Sequence, residues 1–226
     1  MTETAEQLLV RVLESTEPDG HVANDLLREF FRGHPVSELQ RLLTSRNENA
    51  VATGTFIAGE LGARVVALQD ILVRLARHPL PTVRCDVVGA IHGMKESAAP
   101  ESVAVAIAGI VDQDAAVRWR TIRFLGFIGE ELLRNAISHI ADPDLRAAIP
   151  SLILPFTDFD AAKIVSELGA ASPLRRRVAL AAAIRLRQQS LEPLRFAASR
   201  SDEETQEFAT EFLAELTRAD QRLLDN

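Results

Sequence analysis

One helical pattern recurs along this chain at intervals close to thirty residues, and it limits the possible folds more than any other feature. The clearest copy is Asp112 to Gly129, where a short polar turn opens a helix whose apolar residues recur at helical spacing. Successive copies place an apolar anchor early in their second helix, at separations of 32, 34, 28 and 29 residues. The anchors are Val51, Val83, Val117, Leu145 and Leu174. Such a period with two helices per unit indicates an α-solenoid, because one helix pair cannot bury its apolar face alone.

The pattern predicts helix pairs and a division of the chain. The predicted pairs are 37–44 with 49–61, 68–77 with 81–94, 101–111 with 114–128, 131–140 with 143–149, 161–168 with 173–188, and 191–199 with 202–216. Pro150 and Pro155 make the stretch between the fourth and fifth pairs the least regular. We expect one continuous domain with N-terminal capping helices in 1–35, repeats in 36–200 and an acidic capping helix in 201–226, whose acidic face should remain in water.

The net charge of the chain is −7, and most of it lies at the C-terminal end. Residues 201–226 hold eight acids and two bases, a net charge of −6, whereas residues 172–200 hold seven arginines and one acid, Glu192. Neighbouring runs of opposite charge indicate either a charged surface for a partner or ion pairs between the two segments. The overall acidity makes nucleic acid an unlikely partner, because phosphate binding needs a basic surface.

The sequence also predicts the environment of the protein. Its one cysteine, Cys85, cannot form a disulfide within the chain, as is typical of a reducing compartment. The N-terminal residues are amphipathic and acidic, so they predict a helix and not a signal peptide. No uninterrupted apolar run reaches the roughly eighteen residues that a membrane span needs. We therefore expect a cytoplasmic protein with no membrane partner.

The turn and second helix of the third copy resemble a HEAT repeat. In DQDAAVR, Asp112 lies in the turn between the helices, and Val117 and Arg118 follow early in the second helix. HPLPTVR keeps the valine and arginine but has histidine in place of the aspartate, and SPLRRR keeps Leu174 followed by an arginine. The resemblance covers residues 36–217. It indicates the fold more strongly than the function, because HEAT proteins include scaffolds, inhibitors, lyases and DNA-repair enzymes.

The resemblance implies a right-handed α-solenoid of about six helix pairs, preceded by the capping pair. It implies that the second helices line a concave face. It also implies a hydrogen-bond ladder between successive turns. Asp112 would accept from Arg118 of its own repeat, or from backbone amides at the start of that helix.

Side chains two, three, six and nine residues after each anchor should point away from the core. A tryptophan on such a surface can anchor an interface, and arginines beside it can bind a carboxylate or phosphate. The alternative is that the tryptophan packs on arginine side chains, and that the arginines pair with acids of adjacent repeats. The predicted partner-binding residues are Trp119, Arg120, Arg123, Asp86, His92 and Arg176.

The sequence offers no arrangement typical of catalysis, a metal site or a cofactor site. Its five histidines are scattered, and Cys85 and His92 are seven residues apart on one predicted helix, about 10 Å, which is too far for a direct pair. HEAT-like alkylpurine DNA glycosylases, however, use a concave face with aromatic residues, an aspartate and arginines. Trp119, Asp86, Arg120 and Arg123 loosely resemble that set, although those enzymes need a strongly basic groove. A HEAT-type bilin lyase is a more remote alternative.

We therefore expect a non-catalytic module of HEAT-repeat type that binds another protein through its concave face. Its most concrete form would be a bacterial immunity or regulatory protein that occludes its partner. The alternative is the HEAT-like DNA-repair enzyme, and salt-sensitive binding to DNA would separate the two functions.

Overall fold

The computed structural model describes residues 3–152 and 160–224, and the regular secondary structure of this part of the chain is all helical, without a strand. The all-α prediction is confirmed. Short 3₁₀ helices cover Val36–Glu38, Gly62–Leu68, Lys95–Ser97, Gly109–Val111 and Ile137–His139. The α-helices are α1 Ala5–Glu14, α2 Gly20–Phe31, α3 Leu39–Leu43, α4 Glu48–Leu61, α5 Gln69–Leu75, α6 Pro81–Gly93, α7 Pro100–Ala108, α8 Ala115–Phe127, α9 Glu130–Ala136, α10 Pro143–Leu152, α11 Ala161–Leu168, α12 Pro173–Leu186, α13 Glu192–Arg200 and α14 Glu203–Leu224.

Local side chains explain where several helices begin. Asp114 precedes α8, and its carboxylate accepts hydrogen bonds from the amides of Ala116 and Val117. Asn47 caps α4 in the same way, and its amide nitrogen also donates to carbonyls at the end of α1. These caps satisfy amides that a helix leaves unbonded. The irregular stretch predicted after α10 includes Pro155, which lies outside the described residues.

The predicted anchors form the core, with one exception. Val83, Val117 and Leu145 are almost fully buried, as is Val51. Leu174 is only partly buried, however. Arg84, one residue after its anchor Val83, donates to a carbonyl of the preceding turn. On α12 the arginine that does so is Arg176, two residues after Leu174. The repeat frame is therefore displaced by one residue on α12.

The second helices pack in a row whose order differs from their order in the sequence. α4 packs against α6 and α6 against α8, but the next main neighbour of α8 is α12 instead of α10. Gly126 permits this approach, because any side chain at that position would collide with Ile184 of α12. Arg185 of α12 donates to the carbonyls of Leu125 and Ile128 at the end of α8. Sequence spacing alone does not predict this skip.

Asp112 accepts hydrogen bonds, as predicted, but its arginine donor is not Arg118. Asp112 accepts two hydrogen bonds of 2.8 Å from Arg84, in the preceding repeat, and one from the backbone amide of Asp114. Arg118 donates instead to the backbone carbonyl of Asp112. The aspartate therefore joins successive turns, but through the arginine of α6, the second helix of the preceding pair. No helix in the described ranges is long and apolar enough to cross a membrane.

The C-terminal helix α14 lies against α13 and α12, and its side chains reach α8. The prediction that its whole acidic face stays in water is wrong. Glu207 and Glu211 are exposed, but Glu204 and Glu215 form ion pairs with arginines of α8 and α12. This helix decides which of the predicted site residues remain accessible.

Candidate functional site

Trp119 is covered by α14. Its ring stacks on Phe208 with centroids 5.0 Å apart and an interplanar angle of 18°, and Phe212 contacts it edge-on at 6.2 Å. Arg123 lies 5.5 Å from the centroid of the indole ring and forms an ion pair with Glu215. The aromatic side chain that the sequence singled out is therefore one wall of an intramolecular helix interface.

The arginines beside the tryptophan are also occupied. Arg118 and Arg177, on α8 and α12, both pair with Glu204. Arg176 pairs with Asp202 and donates to the turn carbonyls of residues 170 and 171. Arginines of the 172–200 segment thus meet acids of the C-terminal segment, which is one of the two outcomes that the charge runs indicated.

Three of the predicted partner-binding residues contact the C-terminal segment of the same chain. Trp119, Arg123 and Arg176 do not form an open surface, because an acidic helix of the same chain already occupies them. The predicted interactions are an aromatic contact and arginine–carboxylate ion pairs. Both are present, but they are made with α14 and not with a second protein. Glu204 and Glu215 were not among the predicted site residues, although their position in the C-terminal acidic run was a usable signal.

The other three predicted residues, Asp86, His92 and Arg120, remain together on α6 and α8. We refer to Asp86, Gly89 and His92, with the Arg120 guanidinium that crosses them, as the Asp86 stripe. Gly89 is buried, and a side chain at that position would collide with the guanidinium of Arg120. Since residues three apart on a helix are neighbours, Asp86 and His92 lie on either side of Gly89. Gly89 therefore lets the guanidinium lie directly on the backbone of α6.

Arg120 differs from the other arginines of α6, α8 and α12. Its side chain is exposed and makes no hydrogen bond or ion pair with the described residues, whereas Arg84, Arg118 and Arg177 are all bound. Asp86 is half-buried, and within the same residues its carboxylate accepts no hydrogen bond. Two opposite charges near one another are therefore both without a bonded partner, which leaves donor and acceptor positions for a ligand.

The surroundings of Asp86 make its charged form costly. Desolvation raises the pKa of Asp86 to about 6, the nearby Glu60 adds to the increase, and the charge of Arg120 opposes it. A carboxyl group with such a pKa next to an unpaired guanidinium is typical of functional sites more often than of structural ion pairs.

The stripe ends at a cleft. His92 packs edge-on against Phe124 at 5.5 Å, and desolvation together with the charges of Arg120 and Arg123 lowers its pKa. The cleft beside it has a volume of about 500 Å³ and an apolar wall that includes Phe127. Lys95, at its rim, has a positive φ of 52°, a conformation that non-glycine residues seldom adopt.

The stripe and the cleft beside it supply hydrogen-bonding groups and an apolar wall. Burial raises the pKa of the Cys85 thiol, which disfavours the nucleophilic thiolate. No group of three histidine, cysteine, aspartate or glutamate side chains in residues 3–152 and 160–224 could hold a metal ion. Asp86 and Arg120 can accept and donate hydrogen bonds, and the adjoining cleft can enclose an apolar group.

Comparison with known proteins leaves the function to be argued from this geometry. No protein-family model matches the chain, and no curated protein shows significant similarity to it.

Proposed function

We propose that the chain is a HEAT-like α-solenoid that binds another protein, without catalysis, through the Asp86 stripe on the concave face of the α4–α6–α8 row. The observation that carries this proposal is the unpaired state of Arg120 beside Asp86, in a row whose other arginines have partners. An exposed guanidinium and a desolvated carboxylate, held close together on a glycine, favour a ligand that both accepts and donates hydrogen bonds.

A polypeptide fits this chemistry. Its backbone carries donors and acceptors in every residue, and its side chains supply charges of both signs. Asp86 and the nearby Glu60 give the stripe an acidic side, and Arg120 gives it a basic one. We propose that a partner segment donates to Asp86 and presents a carboxylate or carbonyl to Arg120.

The same structure weighs against the alternative of a DNA-repair enzyme. A glycosylase of HEAT-like type needs basic side chains that face the phosphates. Arg118, Arg123, Arg176 and Arg177 instead have their charges neutralised by acids of the C-terminal segment. Asp86 and Glu60 would repel phosphate next to Arg120.

The form of the function that we propose is occlusion of a partner by an immunity or regulatory protein in the cytoplasm. An acidic chain with a single cysteine and a binding surface made of opposite charges support this form. An inhibitor of this sort gains its association rate from complementary charge.

Differential capture from the native cell tests the proposal. Wild type, Arg120→Glu and Arg74→Glu are immobilised at equal density, and the bound proteins are quantified by mass spectrometry. Arg74 lies on α5, is exposed and makes no side-chain bond in the described chain, so it controls for the charge change. We expect at least one protein to bind both wild type and Arg74→Glu but not Arg120→Glu. Equal capture by all three forms, or salt-sensitive retention of duplex DNA instead, would refute the proposal.

A further inference from the structure

One side of α14 carries a complete set of contacts for binding to the row. Glu204, Phe208, Phe212 and Glu215 follow one another at spacings of three or four residues, so they share one face of the helix. Their contacts on α8 and α12 are Arg118 and Arg177 for Glu204, Trp119 for both phenylalanines, and Arg123 for Glu215. Apolar anchors flanked by ion pairs are the usual pattern by which a groove binds an amphipathic helix.

The groove under α14 specifies an acidic occupant. The side chains of Arg118 and Arg177 are only 14% and 17% exposed, and Glu204 is the carboxylate that both use. If α14 left without a replacement, these charges would be poorly hydrated and unpaired, which is strongly unfavourable. Movement of α14 is therefore coupled to the arrival of another acidic segment.

The attachment of α14 makes an exchange feasible. It packs along α13, the preceding helix, but it reaches α8 only through side chains. A competing helix has to replace the stacking on Trp119 and the ion pairs of Arg118, Arg123 and Arg177, together with the contacts of α14 on α12.

We propose that the groove formed by Arg118, Trp119, Arg123 and Arg177 is a second binding site, for an acidic amphipathic helix of another protein, and that α14 is its internal competitor. The ligand carries two aromatic residues four positions apart, with acids on the same side of the helix. This site is separate from the Asp86 stripe, and the proposal does not rest on the function assigned to the stripe.

The test uses the full chain and a fluorescein-labelled peptide with the sequence of residues 201–222. In wild type, the attached α14 has an effective concentration on the order of millimolar and should exclude the peptide. Phe208→Ala combined with Phe212→Ala in the full chain weakens the internal competitor. We expect this variant to bind the peptide at least about tenfold more tightly than wild type does, as measured by fluorescence anisotropy.

Two controls define the groove. A peptide with both phenylalanines replaced by alanine should not bind, and Trp119→Ala added to the full-chain variant should abolish the gain. Glu204→Gln with Glu215→Gln provides a milder receptor that keeps the core phenylalanines, in case the first variant does not fold. Failure of the folded receptor variants to bind the peptide more tightly, or equal binding of the alanine peptide, would overturn the proposal.

Discussion

Asp86 and Asp112 are both partly buried, yet their surroundings act on them in opposite ways. Burial raises the pKa of each, but at Asp112 the hydrogen bonds from Arg84 and from the amide of Asp114 outweigh it and lower the pKa. Asp86 accepts no such bond in the described chain, and its pKa rises to about 6. By linkage, ionised Asp112 stabilises the fold, whereas ionised Asp86 destabilises it. A carboxylate kept at such a cost is typical of a binding site.

Replacement of Asp112 should lower stability in a pH-dependent way. Its folded pKa lies below the ordinary value of 3.8, so its contribution is fully present above that value and is lost as the pH falls through the folded pKa. We expect Asp112→Asn to lower the free energy of unfolding by about 1–3 kcal/mol at pH 7, because Arg84 loses a charged partner. Urea unfolding should show the difference narrowing below pH 4. Exposed Asp144 supplies the control, Asp144→Asn, and a difference independent of pH would contradict this role.

Replacement of Asp86 should have the opposite effect. Its raised pKa means that the charged form opposes folding, so the cost is absent below the ordinary value of 3.8 and complete above about 6. We therefore predict that Asp86→Asn raises the melting temperature at pH 8 and leaves it unchanged near pH 3.5. Asp70→Asn, on an exposed side chain of α5, should change neither value. A lower melting temperature for Asp86→Asn at pH 8 would show that Asp86 is a structural ion-pair partner.

A substitution at Val117 tests the predicted core at the scale of a single residue. Val117 is 1% exposed and faces the centre of the helix row, so Val117→Asp would bury an unpaired charge. We expect a loss of about 3 kcal/mol or more in the free energy of unfolding. Ala116→Asp, one residue earlier and exposed in the first turn of α8, is the matched control. Similar melting curves for the two variants would mean that the repeat frame is misplaced at Val117.

At the scale of elements, the interface between α8 and α14 depends on aromatic stacking. Trp119 and Phe208 lie nearly parallel, which should couple them by about 1 kcal/mol beyond the area they bury. A double-mutant cycle with Trp119→Ala and Phe208→Ala should show this coupling in urea unfolding. The pair Trp119 and Phe31 is the control and should be additive, because Phe31 is exposed on α2. Additive losses for the first pair would mean that the two rings do not interact.

Local signals predicted most helices well. Pro81 and the polar residues before α8 mark helix starts, and α6 and α8 end within a residue of the predicted positions. Other features depend on contacts that local patterns do not contain. Gly62 adopts a φ of 57° where its backbone meets that of Gly93, and a 3₁₀ helix follows it. The C-terminal helix continues to Leu224, past the predicted end at residue 216.

At the scale of the whole molecule, the sequence predicted the kinds of interaction but not all the partners. The neighbouring runs of opposite charge indicated internal pairing, and Arg176 with Asp202 is such a pair. Arg118 and Glu204, however, are separated by 86 residues, and their contact follows from the packing of α12 beside α8. The frame around Leu174 could not reveal that Arg176 binds the turn, because three arginines in succession, Arg175 to Arg177, are equally good candidates in the sequence.

The packing of α14 on α8 determines which part of the α4–α6–α8 row is accessible. Once α14 covers Trp119 and Arg123, the Asp86 stripe is the part of the predicted site that stays open. Its opposite charges act at short range and are partly screened by salt. We expect a partner to be selected by matched charges on both sides of Gly89, and not by the net charge of the chain.

Titration calorimetry with the captured partner tests this account most directly. Arg120→Glu should weaken binding by at least about tenfold, because a carboxylate would replace the donor beside Asp86. Its melting temperature should fall, because the charge that favours ionised Asp86 is reversed, but the variant should stay folded at the temperature of the titration. Arg74→Glu should leave both quantities unchanged. Equal affinity of wild type and Arg120→Glu for the partner would contradict the central claim that the Asp86 stripe is the binding surface.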